Sequence, residues 1–218
     1  MSWESSATYY KIINQYTNIL LGSQNNAKSI MVTVNFDEIE KLQHADKWEE
    51  AAQILIKACK SLQNGGADFI VICTNTMHKL LPQIAPNIKI PFLHIAQTTA
   101  KEIVKDDIKK VLLLGTKFTM QEDFYKQILQ NHDIEVVIPN QKDMDLIHKV
   151  IFDELCLGNI KQNSKDAFID IINKIPDVKG VILGCTEIGM LINQNDVDIK
   201  VYDTTVIHAK EAVRMAVS

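Results

Sequence analysis

Two cysteines sit where a thiol can act on a bound molecule. The stretches Gly66-Ala67-Asp68-Phe69-Ile70-Val71-Ile72-Cys73-Thr74-Asn75-Thr76 and Val178-Lys179-Gly180-Val181-Ile182-Leu183-Gly184-Cys185-Thr186-Glu187 are both short apolar runs that end in Cys-Thr and then turn polar. Such a run reads as a buried parallel strand that delivers a thiol to its carboxyl end. That end is where open α/β sheets bind ligands. An ordinary thiol has a pKa of about 8.5, lowered beside a helix N-terminus or a cation. A thiolate and a thiol can then coexist near neutral pH, one taking a proton from a carbon acid while the other returns one to the opposite face. Two such groups are the minimal equipment for inverting a carbon acid. Thr74, Asn75, Thr76 and Thr186 add hydrogen-bonding side chains in the same turns, and Glu187 stands where it could tune Cys185 or hold an amino group.

The other two thiols read differently. Cys59 shares a helical stripe with Trp48, Ala52, Leu55 and Leu62, and Cys156 closes the stripe Met144, Ile147, Ile151, Leu155; both are expected to be small core residues. No paired metal-ligand spacing is present, and free thiols are expected in place of disulfides. His78 and His94 fall near strand ends, where a structural role is expected of each.

The elements that must position the thiols alternate along the chain. Trp3–Leu21 is expected to be a helix stopped by Gly22, and Ser29–Asn35 a strand. Asp46 with Glu49 resembles a capping box opening a helix to Asn64, which Gly65-Gly66 breaks. After the first thiol strand come a helix ended at Pro82, a strand near Ile90–Ile95, a helix near Thr98–Val104 and the strand Lys110–Gly115. Thr119–Asn131 is then expected as a helix, Ile134–Ile138 as a strand, Asp143–Leu157 as a helix, and a further helix capped by Asn163 or Ser164 leads to the second thiol strand. The strand Ile199–Tyr202 and the helix Thr205–Val217 close the chain, Asp203-Thr204-Thr205 capping that helix. This alternation predicts an α/β protein with parallel sheets wrapped by helices. The thiol strands lie about half a chain apart, so two similar α/β halves facing across a cleft are expected. Residues 1–93 with 204–218 would form the first, carrying Cys73, and residues 94–203 the second, carrying Cys185.

With 218 residues, 46% hydrophobic and 23% charged, the chain can bury a substantial core. It lacks a long apolar run, its first residues lack the pattern of a signal peptide, and its lysines are scattered at a net charge of −4. A cytoplasmic protein with neither a membrane nor a nucleic acid as partner is expected. An anionic substrate would need local cations or helix N-termini, because the overall field opposes it slightly.

Five stretches carry a family resemblance: Met1-Ser2-Trp3-Glu4-Ser5-Ser6, Cys73-Thr74-Asn75-Thr76-Met77-His78-Lys79, Leu114-Gly115-Thr116-Lys117-Phe118-Thr119-Met120, Glu154-Leu155-Cys156-Leu157-Gly158 and Leu183-Gly184-Cys185-Thr186-Glu187-Ile188. In order and spacing they resemble the aspartate/glutamate racemase family. The resemblance implies a cofactor-independent amino-acid racemase, usually a homodimer, with two pseudo-symmetric domains of four-stranded parallel sheets and the substrate held between Cys73 and Cys185. It implies that Thr74, Asn75, Thr76 and Thr186 hold the α-carboxylate and α-amino group, with Met1 and Ser2 contributing. Lys165, in the first turn of its helix, stands where family members usually carry Arg and would meet a side-chain carboxylate as a point charge. Gln43 matches a position that in some members faces the distal end of the substrate, and its neutrality would broaden specificity.

Family members begin with a short apolar strand running into Gly-Gly ahead of the Met-Ser-Trp segment, whereas this sequence starts at Met1. Either the natural start lies upstream of Met1 or the first strand is missing from this chain, and lower stability and activity are expected of the form without it. Interconversion of L- and D-aspartate, extending to glutamate or a broader set, is the activity expected. A hydantoin racemase, a maleate isomerase and a catalytically impaired small-ligand binder are the alternatives. Retention of both cysteines argues against a single-cysteine decarboxylase, and a redox-sensing thiol pair is a further reading.

Overall fold

A computed structural model describes residues 2–218. Its elements divide between two compact units, one of residues 2–73, 77–94 and 209–218, the other of residues 74–76 and 95–208.

The first unit opens on helix α1 (Trp3–Leu21), ended by Gly22 at φ 75° as expected. Helices α2 (Phe36–His44) and α3 (Trp48–Asn64) follow, then strand β1 (Ile70–Val71), a 3-10 turn over Thr76–Leu80, helix α4 (Leu81–Ile84) and strand β2 (Phe92–Leu93). Strands β1 and β2 pair in parallel, Ile70 opposite Phe92 and Val71 opposite Leu93. Helix α3 turns Trp48, Ala52, Leu55 and Cys59 inward, and all are buried.

Three expectations are corrected here. Among the described residues the first unit holds a two-stranded sheet, where three strands, four less the missing first, were expected. Residues 29–35 form no strand: Ile30, Met31 and Val32 stay 48%, 57% and 38% exposed. A run of apolar and β-branched residues becomes a strand only when a neighbour supplies the ladder. Asp46 does not cap α3; it takes a left-handed turn at φ 56°, and its carboxylate accepts the Trp48 indole N–H.

The second unit comprises α5 (Ile95–Lys105), β3 (Lys110–Gly115), α6 (Lys117–Gln121), α7 (Asp123–Gln130), β4 (Glu135–Val137), α8 (Gln141–Asp153), α9 (Gln162–Lys174), β5 (Gly180–Gly184), α10 (Ile188–Leu191), β6 (Lys200–Asp203) and the start of α11 (Thr204–Val217). Its four strands form an all-parallel sheet in the order β4-β3-β5-β6. Side chains alternate between two cores, as a pleated strand requires. Leu112, Leu114, Val181 and Leu183 join α8 and α9 on one face, and Val111, Leu113 and Ile182 join α5 and α7 on the other. A sheet covered on both faces explains why β5 reads as an unbroken apolar run. Helix α9 begins at Gln162 after Lys161 without a side-chain cap, so the expected Asn163 or Ser164 cap is absent; Asn163 Oδ1 accepts only the neighbouring Ser164 N–H.

Gly184, directly before Cys185, is fixed by close approach. A Cβ there would fall 2.7 Å from the Leu114 carbonyl oxygen and 2.9 Å from Leu113 Cδ1. Gly184→Ala is expected to push β5 off β3 and destabilise the protein by about 1–3 kcal/mol, read as a lower Tm. A Tm equal to that of the wild type would contradict this packing.

Candidate active site

Cys73 is the second residue after β1. Its backbone is tied to the start of α1: Ser2 Oγ accepts the Ser5 N–H at 3.1 Å, and Ser5 Oγ donates to the Cys73 carbonyl at 2.8 Å. Ser2, 3% exposed, therefore acts as a helix cap here, while Met1 lies outside the described residues. Ser5 was not singled out in the sequence, although its Ser2-x-x-Ser5 spacing is a capping signal. Burial pushes the Cys73 thiol up to about 11. Nearby in the chain, Met77 is buried and its sulfur accepts Gln43 Nε2 at 2.9 Å, so Gln43, 5% exposed on α2, faces Met77. His78 is buried with its ring 4.7 Å from that of His94, and burial lowers His94 to about 4. His94 is thus neutral at physiological pH and is no standing proton donor.

In the second unit, Gly184 ends β5 and hands the chain to Cys185. The Cys185 thiol donates to Glu187 Oε2 at 3.0 Å, and Thr186 Oγ1 donates to the same oxygen at 2.6 Å. Glu187 is 3% exposed, so this carboxylate is held by donors away from bulk water. Burial first, and then the Glu187 charge, hold the Cys185 thiol well above its ordinary value.

Helix N-termini were expected to lower both thiols, but burial holds both above their ordinary value. Four-residue α10 follows Cys185, and a 3-10 turn follows Cys73. A single turn sums few peptide dipoles, so desolvation wins at both sites.

Thr74 is partly exposed, whereas Asn75 and Thr76 are buried within the second unit. Asn75 Nδ2 donates to Thr204 Oγ1 at 3.0 Å. The Thr76 hydroxyl lies 3.2 Å from that of Thr116 and 3.3 Å from that of Thr119, and the latter two are 3.3 Å apart. Thr116 also caps α6. This hydroxyl triangle was missed; its only sequence signal was the capping spacing Thr116-x-x-Thr119 at a strand end. Asp203 caps α11 as expected, Oδ1 accepting the N–H groups of Thr205 at 2.9 Å and Val206 at 3.2 Å.

Lys165 is placed on the first turn of α9, and its Nζ lies 2.6 Å from Asp196 Oδ1. Its charge is already matched, and the hydrogen bond from Lys165 holds Asp196 below the usual carboxylate range. Lys161 pairs with Glu154 at 3.2 Å. Among the described residues no group of three or more His, Cys, Asp or Glu is arranged to hold a metal ion, and no helix is long and apolar enough to cross a membrane.

The sequence profile of the Asp/Glu/Hydantoin racemase family matches residues 1–212. The broad specificity amino-acid racemase RacX of Bacillus subtilis (strain 168) is 26% identical over 168 residues, 76% of this chain and 72% of the relative. A crystal structure of an aspartate racemase homologue from Pyrococcus horikoshii OT3 superposes with a TM-score of 0.85 at 35% identity, covering 99% of this chain and 95% of its own. A Yersinia pestis structure named as an Asp/Glu racemase candidate reaches 0.91 at 44% identity, covering 100% and 96%. With a profile match over nearly its whole length, the chain belongs to the Asp/Glu/Hydantoin racemase family.

Proposed function

We propose that this chain is an amino-acid racemase acting first on aspartate, by proton transfer between two thiols and the α-carbon. The observation that carries the proposal is the Cys185 thiol donating at 3.0 Å to the buried carboxylate of Glu187. A thiol raised by burial is a poor standing base, and an adjacent carboxylate removes its proton when substrate arrives. Glu187 takes the Cys185 proton, and the thiolate then takes the substrate α-proton. The Cys73 thiol gives its proton to the opposite face, leaving the inverted amino acid and a Cys73 thiolate. The reverse direction exchanges the roles of the thiols.

No step requires a cofactor. Thr74, Asn75, Thr76 and Thr186 hold the α-carboxylate and α-amino group. Lys165 serves a substrate side-chain carboxylate by sharing it with Asp196. Gln43 faces the distal end of the substrate, and a homodimer is the working form. Aspartate comes first because the Pyrococcus relative is named an aspartate racemase homologue. The broad specificity in the name of the Bacillus relative makes other amino acids, glutamate first, the next to test.

The test is proton NMR of L-aspartate with the reduced protein in D2O, without pyridoxal phosphate. Loss of the α-proton signal with formation of D-aspartate is expected. A silent α-proton for aspartate, glutamate and a panel of neutral amino acids would remove the racemase reading.

A further inference from the structure

We propose that Thr204 is a positioning residue, locking the Asn75 amide so that its oxygen accepts the α-ammonium of the substrate. This rests on the amino-acid racemase reading above. Thr204 Oγ1 donates to the Leu183 carbonyl at 2.8 Å. A backbone carbonyl carries no proton, so the single hydroxyl proton of Thr204 is committed there and only lone pairs remain toward Asn75. The group 3.0 Å away must therefore be Nδ2, the donor side of the amide. The turned amide would set two oxygens against each other with no proton between them. The Asn75 amide thus has one allowed orientation, fixed from a backbone atom outward.

The consequence is the state of Oδ1. Asn75 is 2% exposed, and its Oδ1 is a buried acceptor with no hydrogen-bond partner among the described residues. A buried unpaired acceptor is costly, and a ligand donor resolves it. Of the two charged groups on an α-amino acid, the carboxylate offers only lone pairs and is repelled, while the ammonium offers three N–H donors. Leu183 lies on β5 two residues before Cys185, and it pairs with Asp203, the residue before Thr204. The relay therefore ties the ammonium acceptor to the strand that carries a reacting thiol. No sequence signal connects Thr204 with Asn75, which lies 129 residues away.

The experiment measures dissociation constants of L-aspartate and of succinate, which lacks the amine, for the wild type, Thr204→Val and Thr204→Ser. The wild type and Thr204→Ser are expected to prefer aspartate, and Thr204→Val to lose about ten- to a hundred-fold of that preference with succinate affinity unchanged. KM for aspartate should rise more than kcat falls. An unchanged aspartate-to-succinate ratio in folded Thr204→Val, or no preference in the wild type, overturns the assignment. Should Thr204→Val not fold, the Asn75 side-chain amide resonances of the wild type decide. A shift with aspartate and none with succinate supports the assignment, and no shift with aspartate overturns it. A wild type that prefers aspartate through Thr204 yet exchanges no α-proton supports this assignment while removing the racemase reading.

Discussion

Cys73→Ala and Cys185→Ala are each expected to lose racemisation by a factor on the order of 10²–10⁴, the usual contribution of a positioned acid or base. Alanine keeps the Cβ and removes the only atom that can carry the proton. Truncation removes a single sulfur atom from each, so it leaves only a small cavity and the loss is chemical. The informative readout is exchange in D2O. A variant with one thiol can still take the α-proton from one enantiomer and return a deuteron to the same face. Cys73→Ala and Cys185→Ala should therefore each exchange one enantiomer without inverting it, and opposite ones. Cys59→Ala supplies the control: Cys59 is 4% exposed on α3, and the variant should stay active while losing about 1–2 kcal/mol of stability. With Cys73 pushed up to about 11, about one thiol in a thousand is ionised at pH 8. Cys73 is thus the proton-giving thiol that the mechanism needs, and kcat/KM should hold from pH 8 to 10 and fall as the pH rises through about 11 and ionises it. Undiminished racemisation after loss of either thiol would falsify the two-base reading.

How much of this was legible in the sequence depends on how far apart the interacting residues lie. Strand β3 and helix α1 follow from local pattern alone, an apolar run ending in glycine and a stripe stopped by Gly22, and both occur at the expected residues. Residues 29–35 carry the composition of a strand, but strand formation depends on a neighbour that no local pattern reports. At the site, Cys185-Thr186-Glu187 was readable because its hydrogen bonds join residues adjacent in the chain. The Asn75–Thr204 contact and the Thr76, Thr116 and Thr119 triangle are set by tertiary packing across long separations. Thiol acidity misled for a related reason. A helix start promises a lowered pKa, but helices of one turn carry little dipole and burial decides the sign.

Glu187→Gln should lower kcat about 100-fold at pH 7, within the range for loss of a general base, while leaving the fold intact. Glutamine keeps the shape and an oxygen that still accepts from Thr186 and Cys185, but it cannot take a proton. Two effects oppose each other. Removing the Glu187 charge makes the Cys185 thiol more acidic, since that charge helps to hold it up, while removing the carboxylate deletes the proton acceptor. Burial is the largest cause of the raised thiol and survives the substitution, so loss of the acceptor wins near neutrality. At higher pH hydroxide replaces the carboxylate, and the more acidic thiol of the variant ionises first. The deficit should therefore shrink steadily as pH rises toward 10. Because the two enantiomers are equally stable, kcat/KM must fall by the same factor in both directions. A carboxylate that merely ordered the Thr186 turn would be replaced well by glutamine and would leave the pH profile parallel to that of the wild type. Equal turnover at pH 7 would show that another group deprotonates Cys185.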